Sequence, residues 1–301
     1  MLYDIIIVGA GPAGLTAAIY AKRANKEVLV VERGLYGGQV ATIGEVENYP
    51  GFLNIQGGEL ADTFYSQAKK LGVKFVHDSM VDLKNSNLIK QVVCKKSTYE
   101  AKAVILALGS MSRELNVEGE KRFIGSGVSY CATCDGAFFK DKDVAVVGSG
   151  DSAVATALYL KNICKSVCII SKYPELKLKA YQPNVLQRLK DVKIYYSSNV
   201  QSIVGETKVE AVILDSQKES IKVDGVFVTI GRKPDTEFLK GSVELDKFGY
   251  IQTDALCHTS MPGVFACGDV STIKLKQIVT ATSTGAIAAT EALNYIAEQA
   301  E

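Results

Sequence analysis

The sequence predicts an α/β fold of two three-layer units, the second inserted into the first. Three observations predict it. An apolar strand runs into a glycine-rich turn and a helix at the start of the chain. The same succession begins again near residue 143. A late strand ending in Gly268-Asp269 brings the chain back to the first unit. The 301 residues, 47% hydrophobic and 22% charged, suit about two globular domains.

The first element is "YDIIIVGAGPAGLTAAIYAKRANKEVLVVERG". Its "IIIV" is short, β-branched and wholly apolar, the pattern of a buried parallel strand. Gly9, Ala10, Gly11, Pro12, Ala13 and Gly14 follow, then a helical stretch through Lys22, then the strand "EVLVVE" ending in Glu32. In this βαβ unit Gly9 permits the tight turn, Gly11 lets a pyrophosphate approach the backbone and Gly14 lets helix and strand pack closely. The helix N-terminus offers N–H groups and a positive dipole end to phosphates. Glu32 stands where a carboxylate accepts from ribose hydroxyls. The bland alternative is a glycine-rich turn in an ordinary α/β fold.

The pattern recurs in "DVAVVGSGDSAVATALYLKN", with Gly148, Ser149, Gly150, Asp151, Ser152 and Ala153 as the turn and "SVCIIS" as the next strand. Alanine in the third glycine place still allows close packing. Two such units predict two Rossmann-like dinucleotide-binding domains, and a flavin on one with a nicotinamide on the other is the economical pairing. Near the C-terminus, "MPGVFACGDV" carries Asp269 at a strand end, and a helix-like segment begins around Gln277. With "AVILALGS" as an exit strand and "VDGVFVTIGRKPD" as a return crossing, the FAD-binding domain is expected at 1–112 and 241–301. The NAD(P)-binding-like domain is expected at 113–240.

Net charge is +1, so no overall imbalance points to nucleic acid or membrane. The N-terminus has no basic leader or small-residue cleavage site, and its apolar run is too short to span a bilayer. A cytoplasmic protein is expected. Seven cysteines over this length are not a disulfide scaffold. Only Cys131 and Cys134 form a C-x-x-C. A zinc site needs a second ligand pair, and Cys164 and Cys168 join a helix end to a strand, while His77 and His258 are far away in sequence. Redox chemistry is the leading reading for the pair, and no metal is expected.

Seven motifs together resemble the low-molecular-weight thioredoxin reductases, class II of the FAD-dependent pyridine nucleotide-disulfide oxidoreductases. They are G-A-G-P-A-G-L at 9–15, G-G-Q at 37–39, E-N-Y-P-G-F at 47–52, C-A-T-C-D-G at 131–136, G-S-G-D-S-A at 148–153, I-G-R-x-P at 230–234 and C-G-D-V at 267–270. The resemblance spans nearly the whole chain. It implies FAD, a redox pair in which Cys134 lies against the flavin and Cys131 attacks a partner's disulfide, and Asp135 as the acid–base group. A helix N-cap is the bland alternative for Asp135. It further implies cofactor contacts from Arg33, Gly37, Gly38, Gln39, Asn48, the backbone near Val81, Gly109, Gly268, Asp269, Lys276, Gln277 and Ile278. In the second domain it implies contacts from Lys172, Lys177, Gly231 and Arg232. A homodimer and thioredoxin, or a thioredoxin-like protein, as partner follow from the same resemblance. So does a moving inserted domain, with Gly109 and Gly241 near its hinges, because the pair must serve both a flavin and a folded partner.

The chain departs from the family where a His-Arg-Arg segment and a later Arg fork onto the 2′-phosphate of NADPH. Here Ser171, Lys172 and Tyr173 take those places, with Lys177 near the later Arg and Lys276 replacing an Arg beside the flavin. Ala155 and Thr156 replace an acidic pair. Lysines meet a phosphate as point charges without the bidentate geometry. NADPH is the expected donor, with NADH and reduced ferredoxin as the alternatives. Residues 161–193 carry eight Lys/Arg against two Asp/Glu, a basic face for NADPH, for an acidic protein, or simply for solvent. A ferredoxin–NADP reductase of the same architecture lacks the cysteine pair, and a non-enzymatic FAD-binding redox sensor would show no turnover with a protein disulfide.

Overall fold

In the computed structural model, residues 1–86, 88–178, 185–215 and 220–299 are described. The chain forms two compact units, Met1–Met111 with Lys233–Glu301, and Ser112–Arg232.

The first unit is built on strand Leu2–Val8, whose Ile5, Ile6 and Ile7 are fully buried. Each such side chain contributes roughly 1.5–3 kcal/mol by leaving water. The sheet order is Lys74–His77, Val28–Glu32, Leu2–Val8, Thr98–Leu106, Ile89–Cys94, Met80–Ser86. The first four strands are parallel, and Val264–Ala266 adds to the C-terminal end of Thr98–Leu106, also in parallel. The last two are antiparallel additions.

Helix Pro12–Arg23 starts with proline in its first turn, where the missing N–H costs nothing, and ends in Lys22 and Arg23, which complement the dipole. Helix Ile278–Glu298 packs on it through small residues: Ala288, Ala289 and Ala292 are fully buried. A side chain at Gly285 would overlap the Ala13 backbone, so glycine sets how closely the two helices approach.

The second unit has a five-stranded parallel sheet ordered Val128–Ser129, Gly225–Val228, Asp143–Val147, Ser166–Ile170, Lys193–Tyr195. A three-stranded antiparallel sheet, Val200–Val204, Ala211–Leu214 and Ile221–Lys222, accompanies it. Helix Asp151–Leu160 buries Ala153, Val154, Ala157 and Leu160.

The return boundary lies at Arg232/Lys233, eight residues before the position expected from sequence. Leu239 explains the difference. It is fully buried in the first unit's core with Leu83, Leu106 and Val264. Thr236 Oγ1 also donates to the Gly249 carbonyl, and Arg33 pairs with Asp235. Residues 233–240 therefore belong to the first unit, and so does Gly241.

Candidate active site

Three segments meet around the first glycine turn. A Cβ at Gly14 would overlap the Gly9 carbonyl, and one at Gly9 (φ +108°) would overlap the Ala107 carbonyl. Both glycines are required by the protein's own packing. At Gly11 a Cβ would meet nothing within 4 Å, which leaves open space before the helix N-terminus. That combination fits a pyrophosphate at Gly11.

Glu32 organises the surrounding loops. Its carboxylate accepts the N–H groups of Ala10 and Gly34, each at 2.6 Å. The Gly37 N–H donates to the Ala10 carbonyl at 2.7 Å, and Gly38 comes close to Gly11. From the other side, a Cβ at Gly268 would crowd Ala13, and the Gly268 N–H donates to Thr284 Oγ1 at 3.0 Å. Asp269 lies in the adjoining short turn Gly268–Val270. The Asp78 N–H donates to the Glu32 carbonyl, and Val81, half-exposed, follows three residues later.

Gln39 donates to the Ser110 carbonyl beside Gly109. Asn48 Nδ2 donates to Gln277 Oε1 at 3.1 Å. Gln277 is also the N-cap of helix Ile278–Glu298, in a reciprocal capping box with Thr280. Lys276 does not extend freely: its ammonium donates to the carbonyls of Asp269 (3.0 Å) and Ser271 (2.6 Å) and lies 4.6 Å from the Tyr250 ring centre.

The second glycine turn is more occupied. The Lys177 N–H donates to the Ser149 carbonyl at 2.7 Å, and Ser171, fully buried, donates to Ser149 Oγ at 2.9 Å. These bonds draw 171–177 across the turn. Lys177 Nζ pairs with Glu175 at 2.6 Å, and the ammonium groups of Lys172 and Lys177 lie 5.1 and 5.6 Å from the Tyr173 ring centre. The basic stretch is only partly visible, because 179–184 lie outside the described residues. Asp151 opens the helix, followed by Ser152 and the fully buried Ala153. The Gly231 carbonyl accepts the Arg113 N–H at 2.9 Å, next to Arg232.

The redox pair closes as a disulfide, Cys131–Cys134, with the two Cα atoms 5.3 Å apart. Cys131 is the N-cap of the one-turn helix Ala132–Asp135, and that turn brings the two sulfurs together. Asp135 is the last residue of the turn and stands at the N-cap position of the short 3₁₀ helix Gly136–Phe139, but its side chain makes no capping bond there. Its carboxylate instead accepts the Ser129 hydroxyl at 2.6 Å. Burial raises its proton affinity, and the Ser129 bond opposes that rise. The other cysteines are quiet. Burial pushes the thiols of Cys164, Cys168 and Cys257 up to about 11 and that of Cys94 up to about 12, and raises that of Cys267 further.

The family model for pyridine nucleotide-disulphide oxidoreductases matches residues 3–285. The chain belongs to that family. Within it, the chain is similar to the thioredoxin reductase of Listeria innocua, 42% identical over 307 residues that cover 100% of this chain and 96% of the relative. The thioredoxin reductase of Bacillus subtilis is 40% identical with the same coverage. Among solved structures, thioredoxin reductase from Streptococcus pyogenes superposes with a TM-score of 0.93 at 39% identity, covering 99% of each chain. The fold is the family's α/β arrangement with parallel sheets. Among the described residues, no helix is long and apolar enough to cross a membrane.

Sequence reasoning did not find Ser129, Glu120 or Tyr130. Glu120 is fully buried and accepts the Leu115 and Asn116 N–H groups, at 2.8 and 2.7 Å, together with the Tyr130 hydroxyl. A glutamate in "NVEGEKRF" reads as a surface charge, and no local pattern marks it otherwise.

Proposed function

We propose that this chain is a disulfide reductase that passes electrons from NADPH, through FAD and the Cys131–Cys134 disulfide, to thioredoxin or a thioredoxin-like protein. The observation that carries this reading is the bonded pair on a one-turn helix with a partly buried carboxyl at its end, in a chain similar over its full length to thioredoxin reductases.

The residues that would hold FAD are Gly9–Gly14, Glu32, Arg33, Gly37–Gln39, Asn48, Val81, Gly109, Gly268, Asp269 and Lys276–Ile278, with the opening at Gly11 taking the pyrophosphate. When bound, FAD supplies two-electron transfer between the nicotinamide and the disulfide. The second turn, Gly148–Ala153, with Lys172, Lys177, Gly231 and Arg232, would take the nicotinamide nucleotide. The 1–111 and 233–301 unit is thus read as the FAD domain and 112–232 as the domain carrying the pair.

Reducing the pair breaks the S–S bond and places two electrons on two sulfurs. One remains a thiolate and the other takes a proton from Asp135. The Cys131 thiolate then attacks the partner's disulfide, and Cys134 displaces the partner's second thiol from the mixed disulfide. A pair that serves both a cofactor and a folded partner needs its unit to move between the two tasks. The reading also includes a homodimer, tested by sedimentation, and a cytoplasmic setting, where glutathione and thioredoxin keep such pairs cycling.

A second reading keeps the reductase and changes the donor to NADH or reduced ferredoxin. It is favoured by the engagement of Lys177 with Glu175 and of its backbone with Ser149. Anaerobic reduction of the FAD-loaded protein with NADPH, NADH and reduced ferredoxin in parallel separates the donors. Turnover with oxidised thioredoxin then tests the reaction: a yellow protein that accepts electrons and never reduces a protein disulfide overturns the proposal.

A further inference from the structure

Ser129 ends the edge strand Val128–Ser129, two residues before the redox pair, and is 5% exposed. Its hydroxyl oxygen has three neighbours. It accepts the Cys131 N–H at 3.0 Å, donates to Asp135 Oδ2 at 2.6 Å, and lies 3.4 Å from the Cys131 carbonyl. A serine hydroxyl has one hydrogen and two lone pairs, so it serves one acceptor at a time. The shorter contact, to a carboxylate, takes the hydrogen.

We propose that Ser129 is a positioning residue whose hydroxyl aligns the Asp135 carboxyl for proton transfer to the Cys131–Cys134 pair. The inference rests on the disulfide reductase reading and deepens it. The geometry serves both forms of Asp135. As a carboxylate, Asp135 accepts the Ser129 O–H. As an acid carrying its proton on Oδ1, it still accepts the Ser129 O–H on Oδ2, which leaves the acidic proton for the pair. The Cys131 N–H stays on Ser129 Oγ throughout. No heavy atom has to move when the proton leaves, so the carboxyl keeps one orientation before and after transfer. In the transfer itself, two electrons from the pyridine nucleotide donor break the S–S bond, one sulfur becomes a thiolate, and the other takes the Asp135 proton. Solvent returns that proton before the next turnover.

Among the described residues no charged side chain bears on the Asp135 carboxyl. The groups around it are the Cys131–Cys134 pair on its own turn, which titrates only once reduced, and Tyr159 of helix Asp151–Leu160, whose ring edge would lie 3.1 Å from a Cβ at Gly136. Tyr130, on the strand side, turns to Glu120 instead. Among the described residues, Ser129 is the side chain that hydrogen-bonds the carboxyl.

The test is infrared titration of the Asp135 carboxyl in the FAD-loaded protein, with the band assigned by its loss in Asp135→Asn. Removing the hydroxyl in Ser129→Ala leaves the buried carboxylate without its donor, and the midpoint is expected to rise by about one pH unit, tenfold in proton affinity. The alkaline limb of single-turnover reduction of the pair should move up with it. Ser129→Thr keeps an O–H and should keep the wild-type midpoint, while Ser129→Val, of the same shape as threonine, should shift like alanine. The Thr/Val comparison carries the test by itself if the alanine variant fails to fold. An unmoved midpoint in alanine or valine, or an equal shift in threonine, overturns the proposal. The titration needs no thioredoxin, so a wrong assignment of the reaction would show separately, as Asp135→Asn turning over at the wild-type rate.

Discussion

Tyr130 donates its hydroxyl to the fully buried carboxylate of Glu120 at 2.9 Å, one residue before Cys131. Burial and the Glu120 charge both hold the phenol in its protonated form. Glu120 in turn closes the 115–116 loop through two backbone N–H groups. The redox turn is thus anchored by Glu120 through Tyr130 and by Ser129 through the Cys131 N–H. Tyr130→Phe should destabilise the protein by about 1.5–3 kcal/mol, the worth of a hydrogen bond to a charged group. Glu120→Ala, which strands three donors at once, should cost more than Tyr130→Phe. Urea denaturation followed by circular dichroism measures both, and a neutral Glu120→Ala would show that the carboxylate holds nothing.

The first glycine turn separates folding from cofactor binding. Gly14→Ala places a methyl on the Gly9 carbonyl and should lower the thermal midpoint even without cofactor. Gly11→Ala meets only open space, so the protein should melt like the wild type, yet FAD affinity should fall tenfold or more, because the methyl would stand in the place proposed for the phosphate. Flavin fluorescence titration of both variants checks this. Equal behaviour of the two would remove the assignment of Gly11.

Asp135 gives a pH prediction of definite sign. Its folded proton affinity is raised by burial, so the folded protein holds that proton more tightly than the unfolded chain does. The group therefore disfavours the fold above its folded titration point, and the penalty disappears below the ordinary carboxyl range. Asp135→Asn should raise the thermal midpoint at neutral pH and should not do so near pH 3. The same variant should lose most thioredoxin reduction. Scanning calorimetry at the two pH values gives the first result and steady-state kinetics the second.

The lysines beside the second turn predict a weak preference between donors. Lys177 already has a carboxylate partner, and both ammonium groups sit over Tyr173. Lys172→Ala and Lys177→Ala should each weaken NADPH binding by no more than about fivefold, since a point charge near the surface contributes at most about 1 kcal/mol, and should leave NADH unaffected. Glu175→Gln should tighten NADPH by releasing Lys177. Isothermal titration with both nucleotides reads all three variants, and an unchanged NADPH affinity in both lysine variants would point to another donor.

The parts legible in the sequence are those whose physics is local. A β-branched run, three glycines at fixed spacing and a helix form one βαβ unit within some thirty residues, so both glycine turns, Glu32 and the Cys131–Cys134 pair could be read directly. Long-range pairing decided the rest. The Asn48–Gln277 bond joins residues 229 apart. The unit boundary moved to 232/233 because Leu239 finds its hydrophobic partners on strands laid down far earlier in the chain. Lys276 looks in sequence like a free charge over a cofactor, yet the fold puts two backbone carbonyls within its reach. Glu120 and Ser129 are ordinary polar residues in sequence. Only burial makes them consequential, because a carboxylate taken out of water must find its donors within the protein, and which donors it finds depends on the tertiary fold.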